Sequence, residues 1–210
     1  MKPELESCEE TILRTDDFQI RTLLKEQLTI LHRADPDTVI IEELGLLHGS
    51  YRADVSVVNG TMHGYELKSD RDTLQRLPEQ VNAYAAIFDF VTLVVGERHV
   101  RRAIEVVPDW WGVRVVRAAS GKLLFRDLRL AMINVSTDPL STVRLLWRQE
   151  ALNLLAEIGG TRVADSRPRE QIYSELVAVA ERGYLRGAVR RCLKNRKDWR
   201  SDVRQPSCGD

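Results

Sequence analysis

Cysteine is sparse in this chain: Cys8, Cys192 and Cys208 are the only three in 210 residues. An odd, scattered set without metal-ligand spacing argues against a disulfide framework and a zinc site, and makes a reducing cytoplasm the expected location. Long apolar runs are missing as well. None approaches the ~18–20 residues that span a bilayer, and the acidic start MKPELESCEE lacks the apolar stretch of a secretory signal. His32, His48, His63 and His99 show no HxH, HxxxH or H-E-x-x-H spacing and read as surface or turn residues. Ser50 and Ser69 lack the G-x-S-x-G setting of an activated nucleophile. No G-x-x-x-x-G-K-[ST] loop is present, so the chain has no nucleotide motor of its own. Internal repeats and low-complexity segments are absent too.

Net charge is likewise missing, with 31 Lys+Arg against 31 Asp+Glu. That balance hides an asymmetry. From Arg182 to Arg204, nine basic residues and two acidic ones (Asp198 and Asp202) give +7, which leaves −7 on the rest. A basic end on an acidic body suggests a polyanionic partner. Hydrophobic residues make up 43% and charged ones 30%. This describes a soluble globular protein with one domain of ordinary size plus a small appendage.

Phe18, Ile20, Leu23, Leu24, Leu28 and Leu31 recur at three-to-four spacing and predict an amphipathic helix from Asp16 to His32, with Thr15 or Asp16 as N-cap. Beyond Asp35-Pro36-Asp37, the run Thr38 to Leu44 predicts a strand. Tyr51 to Val58 predicts a second, closed by Asn59-Gly60 as a two-residue hairpin turn, and Met62 to Lys68 returns. Val81, Tyr84, Ala85 and Phe88 form a helical stripe behind Pro78. Phe90 to Val95 is a continuous apolar run between breakers, the pattern of a strand buried on both faces. A helix over 98–106, a strand over 112–117 and an edge hairpin near 121–125 complete a mixed α/β sheet with helices on its faces. Residues 141–158 read as one amphipathic helix ended by Gly159-Gly160, and 168–182 and 184–197 as two more. The expected division is 1–138 for the sheet domain and 139–210 for a helical C-terminal appendage with a basic tail.

Four charged side chains sit on this sheet. Asp54 lies inside an apolar strand, and Glu66 and Lys68, two apart on the next strand, project from one face while Leu67 points the other way. Glu43 ends the first strand. One charge in a strand usually marks a solvated face, but an Asp and an E-x-K on hairpin-linked strands, preceded by a Glu, make an all-oxygen set suited to a hard cation such as Mg²⁺ or Mn²⁺. Such a cation can polarise a phosphoryl oxygen, and a lysine beside it can stabilise developing negative charge and orient water. Gln80 and Tyr84, at i,i+4 spacing, can present an amide and a phenol to the same place.

The ordered set Glu43…Asp54…Glu66-Leu67-Lys68 with Gln80-x-x-x-Tyr84 resembles the active-site pattern of the PD-(D/E)XK nuclease superfamily. Its surroundings, Glu43-Leu44-Gly45, Arg52-Ala53-Asp54, Tyr65 to Asp70 and Asp72-Thr73-Leu74, are similar to a family of small bacterial and phage proteins assigned to it. Ala53 stands where the superfamily name has Pro, and Glu42 beside Glu43 leaves open which carboxylate faces inward. The resemblance spans about residues 15–130. It implies a restriction-endonuclease-like core and a divalent-metal-dependent nuclease that hydrolyses phosphodiester bonds in DNA and leaves a 5′-phosphate. By the same resemblance Asp54 and Glu66 are metal ligands joined by the Leu67 carbonyl, and Lys68 is the catalytic lysine. Glu43 is a further ligand or water-orienting carboxylate, and Gln80 and Tyr84 are an accessory pair. Mg²⁺ is the implied cofactor, with Mn²⁺ substituting. Phage defence, DNA repair and mobile-element maintenance are all open as settings. Nucleases of this type that cut both strands often pair, so a homodimer is compatible, as is a partner protein on the helical C-terminal region.

Arg182, Arg186, Arg190 and Lys194 recur every four residues and read either as a solvated helix face or as a phosphate-tracking surface. Trp110-Trp111 reads as packing or, alternatively, as a base-stacking pair. The competing assignment for the whole chain is a non-cleaving nucleic-acid-binding or protein-interaction module that retains the nuclease fold.

Overall fold

A computed structural model describes residues 14–119, 121–159 and 166–196. Helix α1 (Asp17–His32) starts where the Asp16 carboxylate accepts the Gln19 N–H at 3.0 Å, and it buries Ile20, Leu24 and Leu28. Strands β1 (Val39–Leu46), β2 (Tyr51–Val58) and β3 (Met62–Lys68) follow as an antiparallel meander. Helix α2 (Leu77–Ala85) crosses to β4 (Phe90–Gly96), and α3 (Val100–Val106) crosses to β5 (Gly112–Ala119). These crossovers allow β4 to run parallel to β3, and β5 parallel to β4. Antiparallel β6 (Lys122–Arg129) closes a six-stranded sheet in the order β1-β2-β3-β4-β5-β6. Four helices end the described chain: α4 (Pro139–Val143), α5 (Arg148–Gly159), α6 (Arg169–Val179) and α7 (Arg182–Asn195). The protein is therefore the mixed α/β sheet with flanking and C-terminal helices that its patterning predicts.

Each face of the sheet has its own apolar layer. On one, α1 lays Ile20, Leu24 and Leu28 over Val55, Val57, Tyr65, Leu67, Val94 and Val116. On the other, Leu93, Val95 and Met62 join a larger core with Tyr84 and Phe88 that extends without a break into Leu152, Tyr173, Leu176, Val189 and Leu193 of the last helices. The C-terminal helices thus share one core with the sheet. Val91, Leu93, Val94 and Val95 of β4 are all fully buried, as a strand covered on both sides requires.

Two local details depart from the sequence expectation, and a third decides between two readings. The β2–β3 loop has three residues, because Val58 pairs with Met62; Asn59 Oδ1 accepts the Thr61 N–H at 3.0 Å and so builds the turn from its side chain. Gly60 is accordingly not in the left-handed region that a two-residue turn demands. The single helix expected over 141–158 is broken between α4 and α5. Val143, Leu145, Leu146, Leu152, Leu154 and Leu155 would point all round a straight helix, whereas the break buries every one. The Glu150 carboxylate accepts the Trp147 N–H at 2.6 Å and caps the restart. Finally, Trp111 is fully buried in the core and Trp110 packs against it, so this pair is packing and not a stacking platform. Cys8, Cys208, Gly160, Lys197, Arg200 and Arg204 lie outside the described residues.

Candidate active site

The site is built where two ladders are interrupted side by side. Glu42 pairs with Val55 and Leu44 with Ala53, but Glu43 and Asp54 between them drop out, and Glu43 takes a left-handed φ of 52°. The β2–β3 ladder runs from Val58↔Met62 to Val55↔Tyr65 and stops one step short of Asp54 and Glu66. Backbone groups released there need other partners. Asp54 Oδ2 accepts the Leu67 N–H at 2.8 Å, and the Tyr84 hydroxyl accepts the Asp54 N–H at 3.2 Å. Asp54 is thereby wedged into the parting of β2 and β3.

Glu66 and Lys68 share a face, as strand alternation predicts, and they meet. Lys68 Nζ donates to Glu66 Oε1 at 2.5 Å, and the Tyr84 hydroxyl donates to Glu66 Oε2 at 2.7 Å. The Glu66 side chain is 1% exposed and that of Lys68 11%. Burial, with Glu66 as the next cause, pushes the Asp54 carboxyl up to about 7 against the opposing pull of the Leu67 N–H, Arg21 and Lys68. Burial and then Glu66 likewise hold the Tyr84 phenol above its usual range, which keeps it a hydrogen-bond donor. One turn earlier on α2, Gln80 is buried and its Oε1 has no hydrogen-bond donor.

Arg21 is the functional residue the sequence reading missed. It reaches from α1 to donate to Glu43 Oε1 and the Asp54 carbonyl at 2.8 Å each, to Asp54 Oδ1 at 3.1 Å and to Asp17 Oδ2 at 3.2 Å. Burial works to lower its pKa, but Asp54, Asp17 and Glu43 together outweigh it and raise it. The available signal was its place on α1, beside Ile20 and three residues before Leu24 on the buried stripe. The start of α1 is fixed to the end of β3 by Asp70, whose Oδ2 accepts the Thr15 N–H at 3.1 Å and the Thr15 hydroxyl at 2.8 Å. That contact anchors the helix which delivers Arg21.

Glu43, Asp54, Glu66, Lys68 and Tyr84 are therefore linked through one hydrogen-bond network, with Leu67 contributing its N–H. Among the described residues, no three carboxylate, imidazole or thiol groups are already drawn up as a metal cage. Arg21 spans Glu43 and Asp54, while Glu66 turns to Lys68 and Tyr84. The donor set nevertheless fits a hard divalent cation. It is all oxygen, each of its three carboxylates has a cationic partner, Arg21 or Lys68, and the Gln80 amide oxygen stands without a donor.

Three of the four residues in the α7 stripe are occupied within the molecule. Arg182 donates to the carbonyl and hydroxyl of Thr137, and Arg186 donates to the Thr137 hydroxyl and pairs with Asp89. Lys194 pairs with Asp37, and Arg190 is half-buried, which lowers its pKa. Arg182, Arg186 and Lys194 thereby dock α7 against Thr137, Asp89 and Asp37.

Fold and site together define a mixed α/β-sheet protein with a buried carboxylate–lysine–tyrosine network at the parting of two strands. The chain belongs to the Bacteriophage P4 protein cII family, whose model matches residues 15–204. It is similar to Protein cII of Enterobacteria phage P4, at 26% identity over 125 residues, which is 60% of this chain and 47% of that protein. The chain thus spans about half the length of this curated relative. A solved structure of a protein of unknown function from Silicibacter pomeroyi aligns with a TM-score of 0.41 at 19% identity, over 72% of this chain and all of that one. Among the described residues, no helix is long and apolar enough to cross a membrane.

Proposed function

We propose that the protein is a divalent-metal-dependent nuclease of the PD-(D/E)XK type, hydrolysing phosphodiester bonds in DNA. The single observation that supports this most is the Asp54–Leu67–Glu66–Lys68–Tyr84 network at the interrupted β2–β3 ladder. In this reading Asp54, Glu66, the Leu67 carbonyl and Glu43 hold the cation. Mg²⁺, or Mn²⁺ in its place, would supply Lewis-acid polarisation of a phosphoryl oxygen when bound. Lys68, fixed on Glu66, offers a stationary positive charge to the developing oxyanion and orients the attacking water. Tyr84 keeps Glu66 in place through its hydroxyl, and Gln80, one turn earlier on α2, is the accessory residue with a buried amide oxygen left without a donor. Water attacking in line on phosphorus breaks the bond to the 3′ oxygen, which departs as a hydroxyl after taking up a proton from solvent, and a 5′-phosphate remains. Kinship with a phage protein favours mobile-element maintenance among the three settings.

The test is cleavage of labelled duplex, single-stranded and branched DNA with Mg²⁺ or Mn²⁺, comparing the unmodified protein with Asp54→Ala and Lys68→Ala. Cleavage abolished in both variants is expected, and equal cleavage by all three proteins overturns the assignment. A second reading, as a non-cleaving interaction module, draws on the exposed apolar run Leu128, Leu130, Met132, Ile133 and Val135. Tight DNA or protein binding with no metal uptake favours it.

A further inference from the structure

The sheet has two ends, and they differ in how their charges are paired. Lys68 closes β3, and parallel pairing puts Val95 beside it and Val116 beside Gly96, so the C-terminal ends of β3, β4 and β5 share one rim. Antiparallel β2 brings its N-terminal end, with Arg52, to the same rim. The loop from Ser69 to Arg76 and the turn from Glu97 into α3 leave from there. Six exposed arginines belong to these segments: Arg52, Arg71, Arg76, Arg98, Arg101 and Arg102. Arg98 donates to the Asp70 carbonyl at 3.3 Å. Among the described residues, the other five form no ion pair. The carboxylates nearby are mostly engaged: Asp72 accepts the Ser69 N–H at 2.7 Å, Asp70 holds Thr15, and Glu79 accepts the Tyr51 hydroxyl at 3.3 Å. Glu97 is the exposed exception.

The opposite end holds α7. Asp37 precedes β1 at the edge where Val39 faces Val58, and Asp89 precedes β4. Lys194 and Arg186 reach these two acids, so two of the four stripe cations are ion-paired, and the stripe lies away from Lys68. A polyanion lying across the α7 stripe would meet Arg186 and Lys194 already paired and Arg182 held on Thr137, far from the network. One lying across the other rim would meet unpaired guanidiniums on both sides of it, each free to fork onto a phosphate.

We infer that the arginine rim at the C-terminal ends of β3 and β4, and not the α7 stripe, is the surface that grips the DNA backbone. This rests on the nuclease reading for the identity of the polyanion, while the location of the grip follows from topology and charge. Phosphate contacts release condensed counterions, so the grip reports itself in the salt dependence of binding.

The experiment uses the full chain in EDTA with a fluorescein-labelled duplex, titrated at several salt concentrations. It compares the unmodified protein with the triple variant Arg71→Gln, Arg101→Gln, Arg102→Gln and with the control Arg190→Gln, Arg191→Gln. All five positions are exposed or half-buried arginines outside the network, so the fold is expected to persist, which circular dichroism checks. The triple variant should bind roughly tenfold or more weakly, and the slope of log K against log salt should shrink by about 1 per lost contact. The α7 control should match the unmodified protein. A slope lowered by the α7 change and untouched by the rim change overturns the inference, as does tighter binding of an RNA duplex than of DNA. Rim-dependent binding without metal-dependent cleavage leaves the surface standing and removes the nuclease reading. Cleavage that persists with a rim-independent slope does the reverse, and no binding at low salt removes both.

Discussion

The Glu66–Lys68 pair makes the sharpest physical claim on this structure, because its carboxylate is all but inaccessible. Its side chain is 1% exposed, with Lys68 Nζ on one oxygen at 2.5 Å and the Tyr84 hydroxyl on the other at 2.7 Å. Replacing Lys68 with Met keeps the length and apolar stem but strands a buried negative charge. Breaking a buried pair in this way costs ~3–5 kcal/mol. The Tyr84 hydrogen bond survives, so the loss belongs near the lower end, at about 3 kcal/mol. A domain stable by ~5–15 kcal/mol tolerates that. With a urea slope of ~1–3 kcal/mol per molar, the midpoint should fall by about 1–3 M. Adding Glu66→Gln removes the stranded charge and should recover most of the loss, so the two changes couple by at least ~2 kcal/mol in a double-mutant cycle. The assay is urea unfolding followed by tryptophan fluorescence. Costs that add to within ~0.5 kcal/mol would falsify the claim that these groups form one buried pair. Cleavage should stay absent in the double variant even where stability returns, which separates the fold's need for the pair from the chemistry's need for Lys68.

Three further outcomes are expected. Burial, and secondarily Arg114, lowers His63 to about 4 from the ordinary value of 6.5, so the folded protein favours the neutral ring; its contribution is complete above pH 6.5 and declines as pH falls toward 4, by about 3 kcal/mol. Urea midpoints across that window should fall more steeply for the unmodified protein than for His63→Gln, and parallel profiles refute the argument. Arg21→Gln takes the shared cation from Glu43, Asp54 and Asp17, so melting of the metal-free protein should drop while the rise on adding Mn²⁺ exceeds that of the unmodified protein; an equal or smaller rise shows that Arg21 does not stand in for a cation there. Arg186→Ala should cost about 3 kcal/mol by breaking the Asp89 pair that holds α7, with the salt slope of DNA binding unchanged; a lowered slope at unchanged stability would return α7 to the phosphate surface.

How much of this was legible beforehand follows from the range of each interaction. Strand and helix periods are local, so α1, β2, β3 and β4 were readable almost to the residue, and the side-by-side placement of Glu66 and Lys68 is a consequence of strand alternation alone. The Asn59-Gly60 pattern marks the place of the turn but not its length, because its third residue is set by a side-chain hydrogen bond that competes with the glycine-type turn. The 141–158 helix was located but not its break, which exists to bury Leu145 and Leu146 together in a core supplied by distant elements.

The sequence by itself determined the class of the fold and the pairing of Glu66 with Lys68, since both depend on residue types at short, regular spacing, whereas only the structure turns Glu43 to Arg21 and Glu42 to Lys25. Tertiary structure alone decided that Arg21 enters the acidic set across 33 residues to Asp54, and that α7 turns its basic stripe onto Asp89 and Asp37. Charge pairing depends on which end of the sheet a helix reaches, and no period along the chain encodes that. Arg186 and Lys194, which look free in one dimension, are paired in three, and a cluster of unpaired arginines lies at the rim where β3 and β4 end.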